Sequence, residues 1–103
     1  MNDTEALAAL SSISSATRLR ILKMLVAAGP DGLGAGDIAT QVGATPSRAS
    51  FHLSNMAEAG LVAFERSARH VTYRVDFETV GGLVRYLVED CCKNAPSVRR
   101  CCS

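Results

Sequence analysis

Between residues 36 and 59 the chain carries two helix starts and two helix stops, and this punctuation constrains its fold more than any other feature. Gly36-Asp37 opens a short helix, Asp37 to Val42, which Gly43 closes. Thr45 then supplies an N-cap and Pro46 sits at the first helical position, where a missing N–H costs nothing. That helix runs to Ala59 and stops at Gly60. Short helix, tight glycine turn and second helix make a helix-turn-helix.

The flanks complete the fold. Asp3 reads as the N-cap of a first helix with Leu7 and Leu10 at helical spacing. Ser14 or Ser15 restarts the chain into a second helix, dense in apolar positions (Leu19, Leu22, Met24, Leu25, Val26) and stopped by Gly29-Pro30. Asp31 to Gly36 reads as a loop. Strands are expected at Leu61–Glu65 and Val71–Val75, joined by Arg66 to His70 as a β-hairpin with a basic tip. A final helix, Phe77 to Cys92, presents Val80, Leu83, Val84, Leu87 and Val88 as an apolar stripe; Asn94-Ala95-Pro96 ends it, leaving a short polar tail. The expected class is therefore mainly α with a small β-hairpin, a dimeric winged helix-turn-helix. Residues 1–93 form the domain and residues 94–103 a cysteine-bearing tail.

Composition bears on assembly and compartment. At 103 residues with 48% apolar content and no Trp, the chain builds one small aliphatic core, and such cores often share apolar surface with a second copy. No apolar run reaches the roughly twenty residues of a membrane span. The opening residues MNDTEALAAL carry acids rather than a basic leader, so a cytoplasmic protein with no membrane partner is expected. The net charge is only +1, but residues 44–74 hold Arg48, Arg66, Arg69 and Arg74 against Glu58 and Glu65. That weakly basic middle suits nucleic acid.

Placed on a helix of 3.6 residues per turn, Ala49, His52, Leu53 and Met56 share one face, which should pack on the domain. Ser47, Arg48, Phe51, Ser54 and Asn55 point away, with Ser50 at the flank. The second set suits a DNA major groove: Ser and Asn donate and accept, Arg48 reaches a guanine edge or a phosphate, and Phe51 meets a thymine methyl. Arg66, Arg69 and His70 on the hairpin can clamp phosphates or enter a minor groove. His52 reads as a core-edge or phosphate-contacting histidine rather than a metal ligand. An enzyme is not expected, since both histidines, His52 and His70, belong to this reading head. Gly32, Gly34 and Gly36 imitate a phosphate loop but follow no expected strand.

The runs ATRLRILKMLVAAGP, GDIATQVGATPSRASFHLSNMAEAGLV and FERSARHVTYRV resemble the ArsR/SmtB family of winged-helix metalloregulatory repressors, over about residues 5–90. The resemblance implies a homodimer formed through the first and last helices and a two-fold symmetric operator DNA. It implies DNA contacts from Ser47, Arg48, Ser50, Phe51 and the wing. Two of the family's sensing sites find no counterpart: GAGDIATQV carries no cysteine, and Val80–Cys92 no histidine. What remains is similar to arsenical repressors with a vicinal thiol pair at the end of the last helix and a later cysteine.

All four cysteines lie in the last thirteen residues, as Cys91-Cys92 and Cys101-Cys102. In a cytoplasmic protein such clustering indicates a metal or redox site rather than a disulfide scaffold. A vicinal pair bonds to itself only through a strained ring, yet both sulfurs can aim at one ion. A third thiolate returning from the tail would suit trigonal As(III) or Sb(III) as inducer; all four thiols could hold tetrahedral Cd(II) or Zn(II). Which of Cys101 and Cys102 is the third ligand stays open. At a helix C-terminus beside Glu89 and Asp90 the free thiols should be protonated, giving up their protons when an ion binds. Two rival functions remain: an oxidant-driven dithiol–disulfide switch on the same fold, and a winged-helix interaction module that binds no DNA.

Overall fold

The computed structural model describes residues 1–101. Helix α1 spans Asp3–Ile13, α2 Ala16–Ala28, α3 Ala35–Val42 and α4 Pro46–Glu58; strands β1 (Leu33–Gly34), β2 (Val62–Ser67) and β3 (His70–Val75) form one antiparallel sheet in the order β1-β3-β2. Helix α5 (Phe77–Arg85) runs into a wide π-turn, Tyr86–Cys91, and a short helix α6 (Pro96–Cys101) follows. The architecture is the expected winged helix-turn-helix, mostly helical with a small sheet.

Caps explain most of the boundaries. α1 is capped by Asn2 rather than Asp3: the Asn2 side chain accepts from the Glu5 amide at 2.8 Å while the Glu5 carboxylate accepts from the Asn2 amide at 2.9 Å. That reciprocal box satisfies two orphan amides, which a lone aspartate cannot. Ser15 caps α2 and Thr45 caps α4, each accepting from the amide three residues on. Gly43, at φ +69°, closes α3 in the left-handed conformation that L side chains avoid, and so forms the tight turn of the helix-turn-helix.

Four expectations are corrected. Residues 31–36 are not a loop: a 3-10 turn, Gly29–Asp31, leads into β1, and α3 starts at Ala35, two residues early. Two residues of strand carry no readable alternation, so only their pairing (Leu33 with Tyr73, Gly34 with Thr72) reveals them. The hairpin is tighter than the five-residue link suggested. Ser67 pairs with His70, leaving Ala68-Arg69 as the turn, with Ala68 held at φ +55°. The last helix widens into the π-turn at Tyr86, and residues 96–101 of the polar tail are helical, Pro96 standing at the start of α6.

The core is aliphatic: Ile21 and Leu25 of α2, Ile38 of α3, Leu53 and Met56 of α4, and Leu61 are fully buried. α1 contributes only small side chains, Ala6, Ala9 and Ser12, while Leu7 is 66% exposed and Leu10 40%. On the last helix Leu83 and Val88 are buried, Val80 and Leu87 pack partly against the core, and Val84 and Phe77 are exposed. No helix among the described residues is long and apolar enough to cross a membrane.

Candidate nucleic-acid interface and thiol site

Burial of Ala49, Leu53 and Met56 fixes the rotation of α4. Ser47, Arg48, Ser50, Phe51 and Ser54 consequently face outward, Phe51 with 67% of its surface exposed. Asn55 departs from that set. It is half-buried, and its Oδ1 is enclosed, without a hydrogen-bond partner among the described residues, in the crevice that α4 forms with α1. One residue of further rotation beyond Ser54 carries the side chain off the outer face, so Asn55 is displaced from the expected contact surface.

His52, half-buried beside this face, has Arg18 Nη1 at 3.1 Å from its Nδ1. A guanidinium only donates, so the imidazole accepts. Burial first, then the positive charges of Arg18 and Arg48, hold the His52 pKa below its ordinary value. Its role as a core-edge residue on α4 follows from Arg18, which also donates through Nε to the Ser12 carbonyl at 2.6 Å. Arg18 had no signal in the sequence; its partners lie six and thirty-four residues away.

The wing borders α3 and α4. Arg69, His70 and Val71 line a groove of about 600 Å³ with Gly34, Ala35, Gly36, Asp37 and Thr40. Next to it, Arg66 and Tyr73 line a smaller recess with Pro46 and Ser50. Arg66, Arg69 and His70 are all exposed, whereas Arg74 is paired with Glu65 across the strands at 3.1 Å. The Arg66 guanidinium lies 5.8 Å from the Phe64 ring centroid, and Phe64 is 5.7 Å from Tyr73, which stiffens the base of the wing. Exposed Ser, Arg and Phe on one helix, with three basic side chains on a hairpin beside it, suit the convex edge of duplex DNA.

At the other end of the fold, Cys91 is exposed and Cys92 half-buried. Hydrogen bonding to Cys91 first, then burial and the charge on Cys91, push the Cys92 thiol above its ordinary range. Cys101 is exposed on α6, its Sγ 3.5 Å from the Ser97 carbonyl of the same helix. Cys102 lies outside the described residues. Among the described residues no three His, Cys, Asp or Glu side chains stand close enough to hold a metal ion. Cys101 is therefore not brought together with Cys91 and Cys92 into such a group. α6 does return toward the last helix, because Arg99 lines a groove with Gly81, Val84, Val88 and Glu89.

A neighbour of the thiols was not legible in the sequence. Tyr86 donates its hydroxyl to Asp3 Oδ1 at 2.6 Å, joining residues 83 positions apart. That bond first, then burial and the charges of Asp3, Cys91 and Asp90, hold the phenol proton more tightly than usual.

Comparison with known proteins fits this geometry. The family model described as "Helix-turn-helix domain" matches residues 13–63. The HTH-type transcriptional regulator YgaV of Escherichia coli (strain K12) is 34% identical over 83 residues, which cover 81% of this chain and 82% of that protein. Among solved structures, an ArsR-like transcriptional regulator from Rhodococcus sp. RHA1 superposes with a TM-score of 0.74 at 23% identity, covering 87% of this chain and 82% of that one. A possible transcriptional regulator for arsenical resistance does so with a TM-score of 0.70 at 28% identity, covering 81% and 82%.

Proposed function

The chain belongs to the helix-turn-helix transcriptional regulators and has the fold of their ArsR-type members, and from that premise we propose that it is a dimeric repressor released from operator DNA when As(III) or Sb(III) binds its C-terminal thiols. The observation that carries the sensing half is the Cys91-Cys92 pair at the end of the last helix, one thiol exposed and the other half-buried. Two neighbouring sulfurs can supply two ligands of a trigonal thiophilic ion. The third comes from Cys101 or Cys102, and for Cys101 the last turn of α6 must open, since its thiol faces Ser97. Oxygen and nitrogen sites would not compete for such an ion.

The dimer half of the proposal rests on Leu7, Leu10, Phe77 and Val84, large apolar side chains left exposed on α1 and α5. A small aliphatic domain that turns alanines inward and leucines outward on one helix stabilises that face with a second copy. The reading half rests on Ser47, Arg48, Ser50, Phe51 and Ser54 with the wing residues Arg66, Arg69 and His70. Two such heads related by a two-fold axis read a symmetric operator. Because α6 borders the same helix that carries the exposed apolar side chains, closing a thiol site there alters the spacing of the heads. A coupling of roughly 1–3 kcal/mol is typical of such linkage.

The test is a joint titration of bound ion and DNA release, with the fragment upstream of the protein's own gene, for arsenite, antimonite, cadmium, zinc and peroxide. Arsenite or antimonite should bind and release the wild type, while Cys91→Ser and Cys92→Ser keep DNA affinity and lose the response. Release by peroxide alone would replace this reading with a disulfide switch. Release by cadmium or zinc alone would make the site tetrahedral. A double variant still released by arsenite would place the sensor elsewhere.

A further inference from the structure

Helix α1 is fastened at both ends by side-chain hydrogen bonds. At its start, Asp3 accepts from Tyr86, the first residue of the π-turn whose last residue is Cys91. At its end, the Ser12 carbonyl accepts from Arg18 Nε at 2.6 Å, and the same guanidinium reaches His52 on α4, beside Phe51. Between these points the buried face of α1 is Ala6, Ala9 and Ser12, side chains too short to interlock with neighbours and fix the helix against axial movement.

The crevice beneath α1 is lined by polar side chains from both helices. Ser12 Oγ and Asn55 Oδ1 are both buried without hydrogen-bond partners among the described residues, and they line the same cavity of about 270 Å³ between α1 and α4. A hydroxyl can donate to a carboxamide oxygen, so a modest displacement of α1 toward α4 offers these two groups to one another. Such a displacement would give the helix a second arrangement with a compensating bond, and coupling between distant sites requires an element with two arrangements.

The π-turn supplies the trigger. Its five-residue spacing extends to the Cys92 amide on the Leu87 carbonyl at 3.0 Å, and the Asn94 amide then closes the end on the Val88 carbonyl, six residues back, at 2.8 Å. Such turns accommodate one residue more than an α-helical turn and are frequent at functional sites. We propose that the Tyr86–Asp3 hydrogen bond is the link by which a bridge across Cys91 and Cys92 unseats α1 and, through Ser12, Arg18 and His52, reorients the reading helix. Tyr86 is in this account a positioning residue: it touches neither ion nor DNA. The inference deepens the proposed regulation and rests on it only for the identity of the natural inducer.

Phenylarsine oxide tests the link independently of that identity, because it closes on two neighbouring thiols alone. Two As–S bonds form, the oxygen leaves as water with both thiol protons, and no electron is transferred. With the upstream fragment as DNA, bridging should weaken wild-type binding within the roughly 5–150-fold range usual for coupled sites. In Tyr86→Phe and in Asp3→Ala the arsenical should still add to the protein by mass, but the fold-change in DNA affinity should fall below about threefold, and the double variant should lose no more than either single one. A residue with a merely structural role would lower affinity equally with and without the arsenical and leave the fold-change intact. An undiminished fold-change in Tyr86→Phe, additive losses in the double variant, or no weakening of the bridged wild type would each overturn the proposal. If phenylarsine oxide acts through Tyr86 while arsenite does nothing, the link stands and the proposed inducer falls.

Discussion

Gly32 sets where the wing stands. It lies at φ +69° and ψ −164°, a region nearly reserved to glycine. A Cβ built there would lie 2.2 Å from the Tyr73 carbonyl oxygen and 3.2 Å from Thr72 Cγ2. Tyr73 and Thr72 are also the residues that pair with β1, so relief of the clash must move β3 or undo that pairing. In Gly32→Ala the backbone conformation costs about 1–3 kcal/mol and the overpacking about 1–3 kcal/mol more, for a total of about 2–6 kcal/mol. A domain of this size has about 5–15 kcal/mol in hand and loses about 4–8 °C in Tm per kcal/mol. The variant should melt at least about 8 °C below the wild type, with a central value nearer 20 °C on the same scale. Circular dichroism at 222 nm against temperature reads this directly. Gly36→Ala is the control, because nothing lies within 4 Å of its added Cβ, and replacing glycine in a helix should leave Tm unchanged or raise it by the equivalent of about 0.5–1 kcal/mol. If Gly32→Ala melts within about 3 °C of the wild type, the close approach to β3 does not hold the wing, and the stability scale used for it is refuted.

Adjacent residues of the reading helix should behave oppositely. Phe51→Ala should leave stability within about 0.5 kcal/mol while weakening operator binding about tenfold, the worth of one base contact; Leu53→Ala, fully buried, should cost about 2–5 kcal/mol in denaturant unfolding. Equal effects on stability would mean that the rotation of α4 is wrong. At the wing tip, Ala68 at φ +55° carries a strain of about 1–2 kcal/mol, so Ala68→Gly should raise stability by up to about 1 kcal/mol after the extra freedom of the unfolded chain is deducted; a lower Tm would contradict it. The Cys92 thiol is raised chiefly by its hydrogen bond with Cys91, so its alkylation by iodoacetamide should set in at higher pH than for an ordinary thiol, and earlier in Cys91→Ala. The linked stability is complete below the ordinary thiol pKa and is lost as pH climbs through the raised one. An alkylation profile indifferent to Cys91 would remove the contact.

Ser15, Thr45-Pro46, Gly43 and Gly60 were legible as punctuation because caps and left-handed turns are decided by a residue and its near neighbours. The apolar period placed Ala49, Leu53 and Met56 inward for the same reason, and it read the outward set correctly as far as Ser54. Asn55 escaped because its orientation depends on α1, forty residues earlier, closing over that flank of α4. The cap at Asn2 was misread by one residue, since the decision turned on Glu5 answering it.

By itself, then, the sequence determined the order of the first helices and the hairpin, the face α4 exposes, and the concentration of thiols at one end, because each is governed by local backbone preference or by a repeat shorter than one element. Tertiary structure alone decided the rest: the two-residue β1, the widened turn at Tyr86, and the bonds Tyr86–Asp3 and Arg18–His52. Those depend on which distant surfaces meet, and the energy that selects them is realised only when the elements are packed together.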